Sequence, residues 1–443
     1  MIQDAMLVPL LSEADPEVQA EGSINPLGTY AIADALATRL VPGVRERQWH
    51  PRFLTAMAVS LAVCSEFDDD TVAADGESEP WQVFEWYVVE GLVRRLKDTS
   101  ERRGLPGLRK AESALRDGVP LSAKRYLKSA RNFGFHGVYR VLSRELGIEV
   151  ADRLGEVGYE LLETWAGEQD LQGFYDSSRE PGAQWRRRLA DAVQDGLESG
   201  CISRSAGWSG WEFFADHLAH QRPGTREAMV IRKALLAGED GYRRPVLEFL
   251  TSSEGQAITA HVAADERISE REFHKRLCTV SDVALRDLIE AIQNYEAFSR
   301  LLLDAFDDCL YEMSVSKRRV TAKQLAQVQS VNPAAEGIPG LFEDVIDRLT
   351  PFGQAQRFQE VFADISERGS GEEWVTRLLE HHHCVQRQKP PNGRASWFER
   401  FDDGSYIIRP AYATEEGGLH EDEYVHGYRT TPLLSFATDL RMV

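Results

Sequence analysis

The densest run of groups able to bind an anion or move a proton lies near the end of the chain, in HHHCVQRQKPPNGRASWF, DDGSYIIRPAY and EDEYVHGYRTTPLLSFATDL. His381, Gln386, Lys389, Arg394, Arg409, His426, Tyr428 and Arg429 converge if a hairpin entered at Asn392-Gly393 folds back on the helix that begins near Trp374. Such a pocket would hold a phosphate or a carboxylate through arginine forks. The same side chains would serve equally as a buried hydrogen-bonded knot that ties helix to tail. Metal and nucleophile templates fit this stretch poorly. His381, His382 and His383 are adjacent, so on a helix their rings point roughly 100° apart and cannot share one ion as pairs at i and i+4 do. Cys384 does not repair that geometry, and His420 and His426 are spaced by six rather than four. No GxxxxGK[ST] loop occurs, the HKRLCTVSD stretch at His274 lacks HxK spacing, and no acidic cluster leads to an ExK motif. No metal or cofactor is expected, and an enzyme is unsupported rather than excluded.

A second candidate site appears in the charge distribution. The 443 residues carry 71 acidic and 51 basic side chains, a net charge of −20. Residues 93–144 invert that balance, with fourteen basic residues against Asp98, Glu101, Glu112 and Asp117, a surplus of ten that leaves −30 for the rest. Clustered Lys and Arg bind phosphate backbones by releasing condensed counterions, and a Debye length of about 8 Å makes the local balance decisive. Arg102, Arg103, Lys124, Arg125, Lys128, Arg131 and Arg140 are the expected phosphate contacts, positioning the backbone rather than reading bases. Pairing of these cations with acidic neighbours in the fold is the competing expectation. The run EFDDDTVAADGESEP has seven carboxylates and no cation, which reads as a solvated loop, or as a surface that repels nucleic acid or takes a basic partner.

These groups must be carried mainly by helices. Apolar spacing predicts helices from Gly28 to Leu40, from about Arg52 through FLTAMAVSLAVC, over Trp81 to Leu96, over Ser122 to Asn132, over Gly137 to Gly147 and within Gln184 to Leu197. The clearest long helix is expected over Val283 to Met313, and Thr321 is a candidate N-cap in the small basic patch KRRVTAKQLAQVQ. Trp208, Trp211, Phe213 and Phe214 are expected to anchor a helix to the core. The five cysteines are far apart, which argues against disulfides or a cysteine zinc site. No apolar run approaches the ~20 residues of a membrane helix, and the start MIQDAMLVPLLSEADPE lacks a secretory pattern, so a cytoplasmic, non-membrane location is expected.

Short helices followed by an extended exit and a further helix, over residues 121–166, resemble winged-helix domains, although 147–155 is short for a full wing. The expected fold is mainly α with small β elements. It divides into an N-terminal helical region (1–96), a basic winged-helix-like domain (97–180), a helical domain (181–370) and a C-terminal helix-hairpin-tail unit (371–443). LVPGVRERQWHPRFLTAMAVSLAV, FGFHGVYRVLSRELGI with GYELLETW, IQNYEAFSRLLLDAFDDCL and HHHCVQRQKPPNGRASWF together resemble bacterial accessory subunits encoded in phage-defence or restriction islands. That resemblance implies defence against foreign DNA in a complex whose helicase or nuclease is another polypeptide. Three functions stay open: a nonenzymatic DNA-binding or adaptor subunit, a structural or regulatory scaffold without DNA contact, and a phosphodiester hydrolase built on the C-terminal polar cluster.

Overall fold

The computed structural model describes residues 25–443 apart from 177–178, 222, 239–240, 261–267 and 391. The amino-terminal run read for a secretory pattern and Pro391 lie outside the described residues. Helices dominate, and among the described residues strand occurs in one two-stranded ribbon and one three-stranded sheet. No described helix is long and apolar enough to cross a membrane. The chain divides into two compact units. One holds the residues up to Leu36 and Ser269–His426, and the other holds Ala37–Ile268 and Gly427–Val443. The boundaries expected at 96, 180 and 370 all fall inside these units.

The second unit is built around the helix Phe53–Cys64, whose residues are apolar on every side and almost all buried. A helix without a polar face must be enclosed. Pro80–Arg95, Phe135–Glu145, Glu156–Glu168 and Pro181–Ser199 enclose it. Trp211 and Phe214, on Gly210–Leu218, are buried against the aromatic helix Pro80–Arg95 and Phe213 against Trp165 and Trp185, while Trp208 is half-buried. Phe135–Glu145 stops at Gly147, and the ribbon Glu149–Val150 with Arg153–Leu154 follows. Its two-residue turn, Ala151-Asp152, has both φ angles positive, as a type I′ hairpin requires.

One expected helix is largely missing. Of residues 122–132, only the short helix Ala130–Phe133 is helical at the end of a series of turns. The cause is tertiary. Tyr126 is drawn into the core, where its hydroxyl meets Glu85, and burial of that ring outweighs the helical composition of its neighbours.

A buried ion pair holds the core helix to the rest of this unit. Arg52 Nε donates to Glu227 Oε1 at 3.1 Å, with side-chain exposures of 3% and 0%. The remaining guanidinium nitrogens donate to the carbonyls of Ala219 and His217. Thr55 Oγ1 donates to the same carboxylate at 2.6 Å, and the Gly224 N–H donates to its other oxygen. The helix Thr430–Asp439 also belongs to this unit, tied by Asp439 to His50 Nδ1 at 2.7 Å and by Arg232 to the Leu440 carbonyl.

The first unit is organised by the long helix Val283–Ser316, begun by Asp282, whose side chain accepts from the Leu285 N–H. Val331–Leu349 packs along it, and Phe298 meets Phe358 and Phe362. Thr321 forms the anticipated N-cap through a reciprocal box with Gln324. Val320–Thr321, Ser405–Ile408 and Phe398–Arg400 form the antiparallel sheet in that spatial order, with Val320 opposite Tyr406 and Phe398 opposite Ile408.

Removing one partner of a buried, hydrogen-bonded ion pair strands the other charge. Glu227→Ala is expected to destabilise the second unit by about 3–5 kcal/mol. The double variant Arg52→Met, Glu227→Leu should recover most of that loss in urea unfolding. A double variant as unstable as the single one would contradict the pairing argument.

Candidate functional site

At least seven of the fourteen cations in residues 93–144 are matched by carboxylates among the described residues. Arg94 pairs with Glu90, Arg95 with Glu212, Arg102 with Glu112, Arg116 with Asp117, and Arg131 with Glu79. Arg140 and Arg144 both bond Glu149 at 2.9 Å and also pair with Asp152. Arg103 lies over the Trp49 ring, and its carbonyl accepts from His50 and His220. Of the expected phosphate contacts, Arg102, Arg131 and Arg140 are therefore in ion pairs and Arg103 in a cation–π contact. Lys124, Arg125 and Lys128 are exposed and have no acidic partner among the described residues.

Arg109 and Lys110, absent from the expected contacts, share that condition at the start of the helix Leu108–Arg116. Gly107 brings them close to the Lys124 loop. Its φ of +79° suits the sharp entry to the helix, and a Cβ there would lie 2.4 Å from the Tyr126 hydroxyl. Two segments carrying five unmatched cations thus meet at Tyr126. The sequence signal for Arg109 and Lys110 was Pro106-Gly107, a turn placed directly before a basic helix start.

Glu85 sets the position of this loop. Tyr126 Oη bonds Glu85 Oε1 at 2.8 Å, and the His136 N–H donates to Oε2 at 2.9 Å. Gly134 is required beside it, because a Cβ would approach Glu85 Oε1 to 1.9 Å. Burial pushes the Glu85 carboxyl up to about 7 against the opposing pull of those hydrogen bonds. His136, stacked on Trp81, is held down to about 3 by burial and then by Arg140. The seven-carboxylate run is drawn into this scaffold at its ends, where Glu79 pairs with Arg131 and Glu66 with Arg186.

The C-terminal residues separate into several sites. Tyr428 and Arg429 belong to the second unit, where Tyr428 is buried and Arg429 lies 3.6 Å from Glu46. In the first unit His381 Nε2 bonds the Leu27 carbonyl and Gln386 Nε2 the Pro26 carbonyl. His382 sits between them. Its Nδ1 bonds the Pro26 carbonyl, so this nitrogen carries the proton, and its Nε2 accepts from the Trp397 N–H. Burial holds His382 down to about 3. Arg394 and Arg409 line a cleft of about 840 Å³ that His381, Gln386 and Lys389 do not line. Burial and the neighbouring Arg394 lower Lys389 to about 8.

His426 makes a different arrangement. Glu296 Oε1 lies 2.7 Å from His426 Nδ1, and His426 Nε2 lies 3.0 Å from Thr29 Oγ1. Glu296 Oε2 accepts the backbone N–H groups of Val425 and His426. This carboxylate–imidazole–hydroxyl order is that of an activated nucleophile. Neither Thr29 nor Glu296 carried a motif that could have flagged it. No group of three or more His, Cys, Asp or Glu suited to a metal occurs among the described residues.

No family model, curated protein or solved structure matches this chain. Its chemistry must therefore be read from these arrangements.

Glu85 supplies a test of the scaffold under the cationic loop. A carboxyl raised from 4.5 to about 7 on folding binds more protons folded than unfolded across that interval, so it lowers stability as pH rises through it. In Glu85→Gln the amide oxygen accepts from His136 N–H, the amide nitrogen donates to Tyr126, and no charge develops. Its melting temperature relative to wild type is expected to rise between about pH 4.5 and 7 and to level off above. A pH-independent difference would show that Glu85 does not titrate in the core.

Proposed function

We propose that the protein is a nonenzymatic nucleic-acid-binding or adaptor subunit that holds phosphate backbone through Arg109, Lys110, Lys124, Arg125 and Lys128. The observation that carries this reading is that the two segments bearing these five exposed cations, none with an acidic partner among the described residues, meet where Gly107 packs on Tyr126. Fixed cations without internal partners keep their counterions until a polyanion displaces them, which favours binding at low salt. The winged-helix likeness of 121–166 supports the same reading, since the helix Phe135–Glu145, a short ribbon and the helix Glu156–Glu168 follow this loop. A place in an anti-phage complex beside a helicase or nuclease rests on the sequence resemblance.

Five phosphate contacts imply a salt slope near −4.5, so affinity for duplex DNA is expected to fall by roughly two to three orders of magnitude between 50 and 200 mM salt. The triple variant Lys124→Glu, Arg125→Glu, Lys128→Glu should abolish binding in a mobility-shift assay. The triple variant Arg226→Glu, Lys233→Glu, Arg244→Glu changes net charge equally at exposed residues and should bind like wild type. Equal loss in both variants, or no binding by wild type at 50 mM salt, would overturn the reading. Capture of a partner protein without any DNA shift would favour the scaffold.

The Glu296–His426–Thr29 chain favours a second reading, a hydrolase in which His426 takes the Thr29 proton. It ranks lower because Thr29 is only 6% exposed. Phosphodiesterase activity lost in Thr29→Ala and kept in Thr29→Ser would raise it above the first reading, and activity unaffected by Thr29→Ala would end it.

A further inference from the structure

The cleft that Arg394 and Arg409 share is assembled from three segments of the first unit. The helix Gly371–Arg387 presents Glu380, His383 and Arg387, spaced by three and four so that they share one helical face. The turn after it adds Arg394 and Ser396, and the hairpin adds Phe398, Glu399, Arg400, Tyr406 and Arg409. Four arginines and two glutamates line the cleft, so its arginines and carboxylates sum to a charge of +2. That sign runs against a chain whose total is −20.

The charges are not interchangeable. Arg400 is already directed to Glu380, at 3.4 Å. Arg387 is exposed and has no acidic partner among the described residues. His383 Nδ1 lies 2.7 Å from the buried Ser396 hydroxyl, which fixes the ring against the wall. Phe398 and Tyr406 are almost fully buried, meet edge to face and close the floor. Lys389 stands beside Arg394, and burial first and this one guanidinium second lower its affinity for protons. A volume of about 840 Å³ is in the range of sites for nucleotide-sized ligands.

We propose that this cleft binds a phosphate monoester of nucleotide size, with the phosphate held by Arg387, Arg394 and Arg409. Guanidinium forks match phosphate oxygens in pairs, and a monoester near charge −2 at neutral pH complements the +2 lining. The same group can come from a free nucleotide or from the 5′ end of a nucleic acid. This site lies in a different unit from the five cations at Tyr126 and stands or falls without them.

Calorimetric titration of the full chain with AMP, adenosine, citrate, and a dinucleotide with and without a 5′-phosphate tests the proposal. AMP or the 5′-phosphorylated dinucleotide should bind, and adenosine and the 5′-hydroxyl form should not. Binding should weaken below about pH 6, where the monoester takes up its second proton. Arg387→Glu, a change at an exposed residue, should weaken binding at least tenfold without lowering the melting temperature. Arg394→Lys keeps the charge but loses the fork and should weaken binding less. The Lys124, Arg125, Lys128 triple variant should bind as wild type does. Binding of AMP alone assigns a free nucleotide, and binding of the phosphorylated dinucleotide alone assigns a strand end. Absence of binding by both phosphate ligands, equal binding of citrate, equal binding of the 5′-hydroxyl form, or affinity unchanged in Arg387→Glu would each overturn it.

Discussion

Arg52 and Glu227 meet with almost no contact with solvent, and Thr55, the Gly224 N–H and the carbonyls of Ala219 and His217 make further hydrogen bonds to the pair. Carrying a charge into a protein core is unfavourable by several kcal/mol per ion, roughly, unless partners replace the lost water. That constraint recurs through the molecule. Glu85 gathers Tyr126 and the start of the helix Phe135–Glu145, Glu149 gathers Arg140 and Arg144, and Glu296 gathers His426 with two backbone N–H groups. Glu227, Glu85 and Glu296 recruit donors from segments distant in sequence, whereas Glu149 ties its ribbon back to the helix just before it. The acidic excess of the chain is thus partly structural, used inside the fold as well as on its surface.

The pairing also decides where function can reside. A cation already matched by a buried or clustered carboxylate must give up that partner to bind a phosphate, whereas an unmatched one does not. Once the pairs around Glu79, Glu112, Glu149 and Asp152 are drawn, five of the exposed cations of residues 93–144 left without an acidic partner among the described residues lie in the loop at Tyr126 and at the entry to the helix Leu108–Arg116, and Lys97 is a sixth outside them. In the first unit the same reasoning separates Arg400, which faces Glu380, from Arg387.

The helices were legible wherever one segment contained its own signal. FLTAMAVSLAVC reads as a buried helix because it is apolar on all sides, Val283 to Met313 because its apolar steps of three and four persist, and Thr321 as a cap because Gln324 follows at the correct distance. The segment SAKRYLKSARN misleads because the fate of Tyr126 depends on a carboxylate forty-one residues earlier. The candidate sites fail in sequence for the same reason. Charge counted along 93–144 cannot see Glu79, Glu90 or Glu212, which lie outside it and neutralise three of its arginines. Arg394 and Arg409 were two of eight residues expected to converge, but Arg387 and Arg400 join them only through the register of Phe398–Arg400 on Ser405–Ile408 and its placement by the preceding helix. Thr29 has no local mark, since what distinguishes it is a histidine 397 residues away.

The second unit is discontinuous, with Gly427–Val443 completing a body whose other residues end at Ile268. During translation His50 emerges without Asp439, Tyr139 without Phe436, and Arg232 without the Leu440 carbonyl. At roughly 5–20 residues per second, the synthesis of Ser269–His426 takes on the order of ten seconds or more. Through that interval the nascent chain displays an unclosed apolar face at the ribosome, a surface open to a holding chaperone until the final helix arrives.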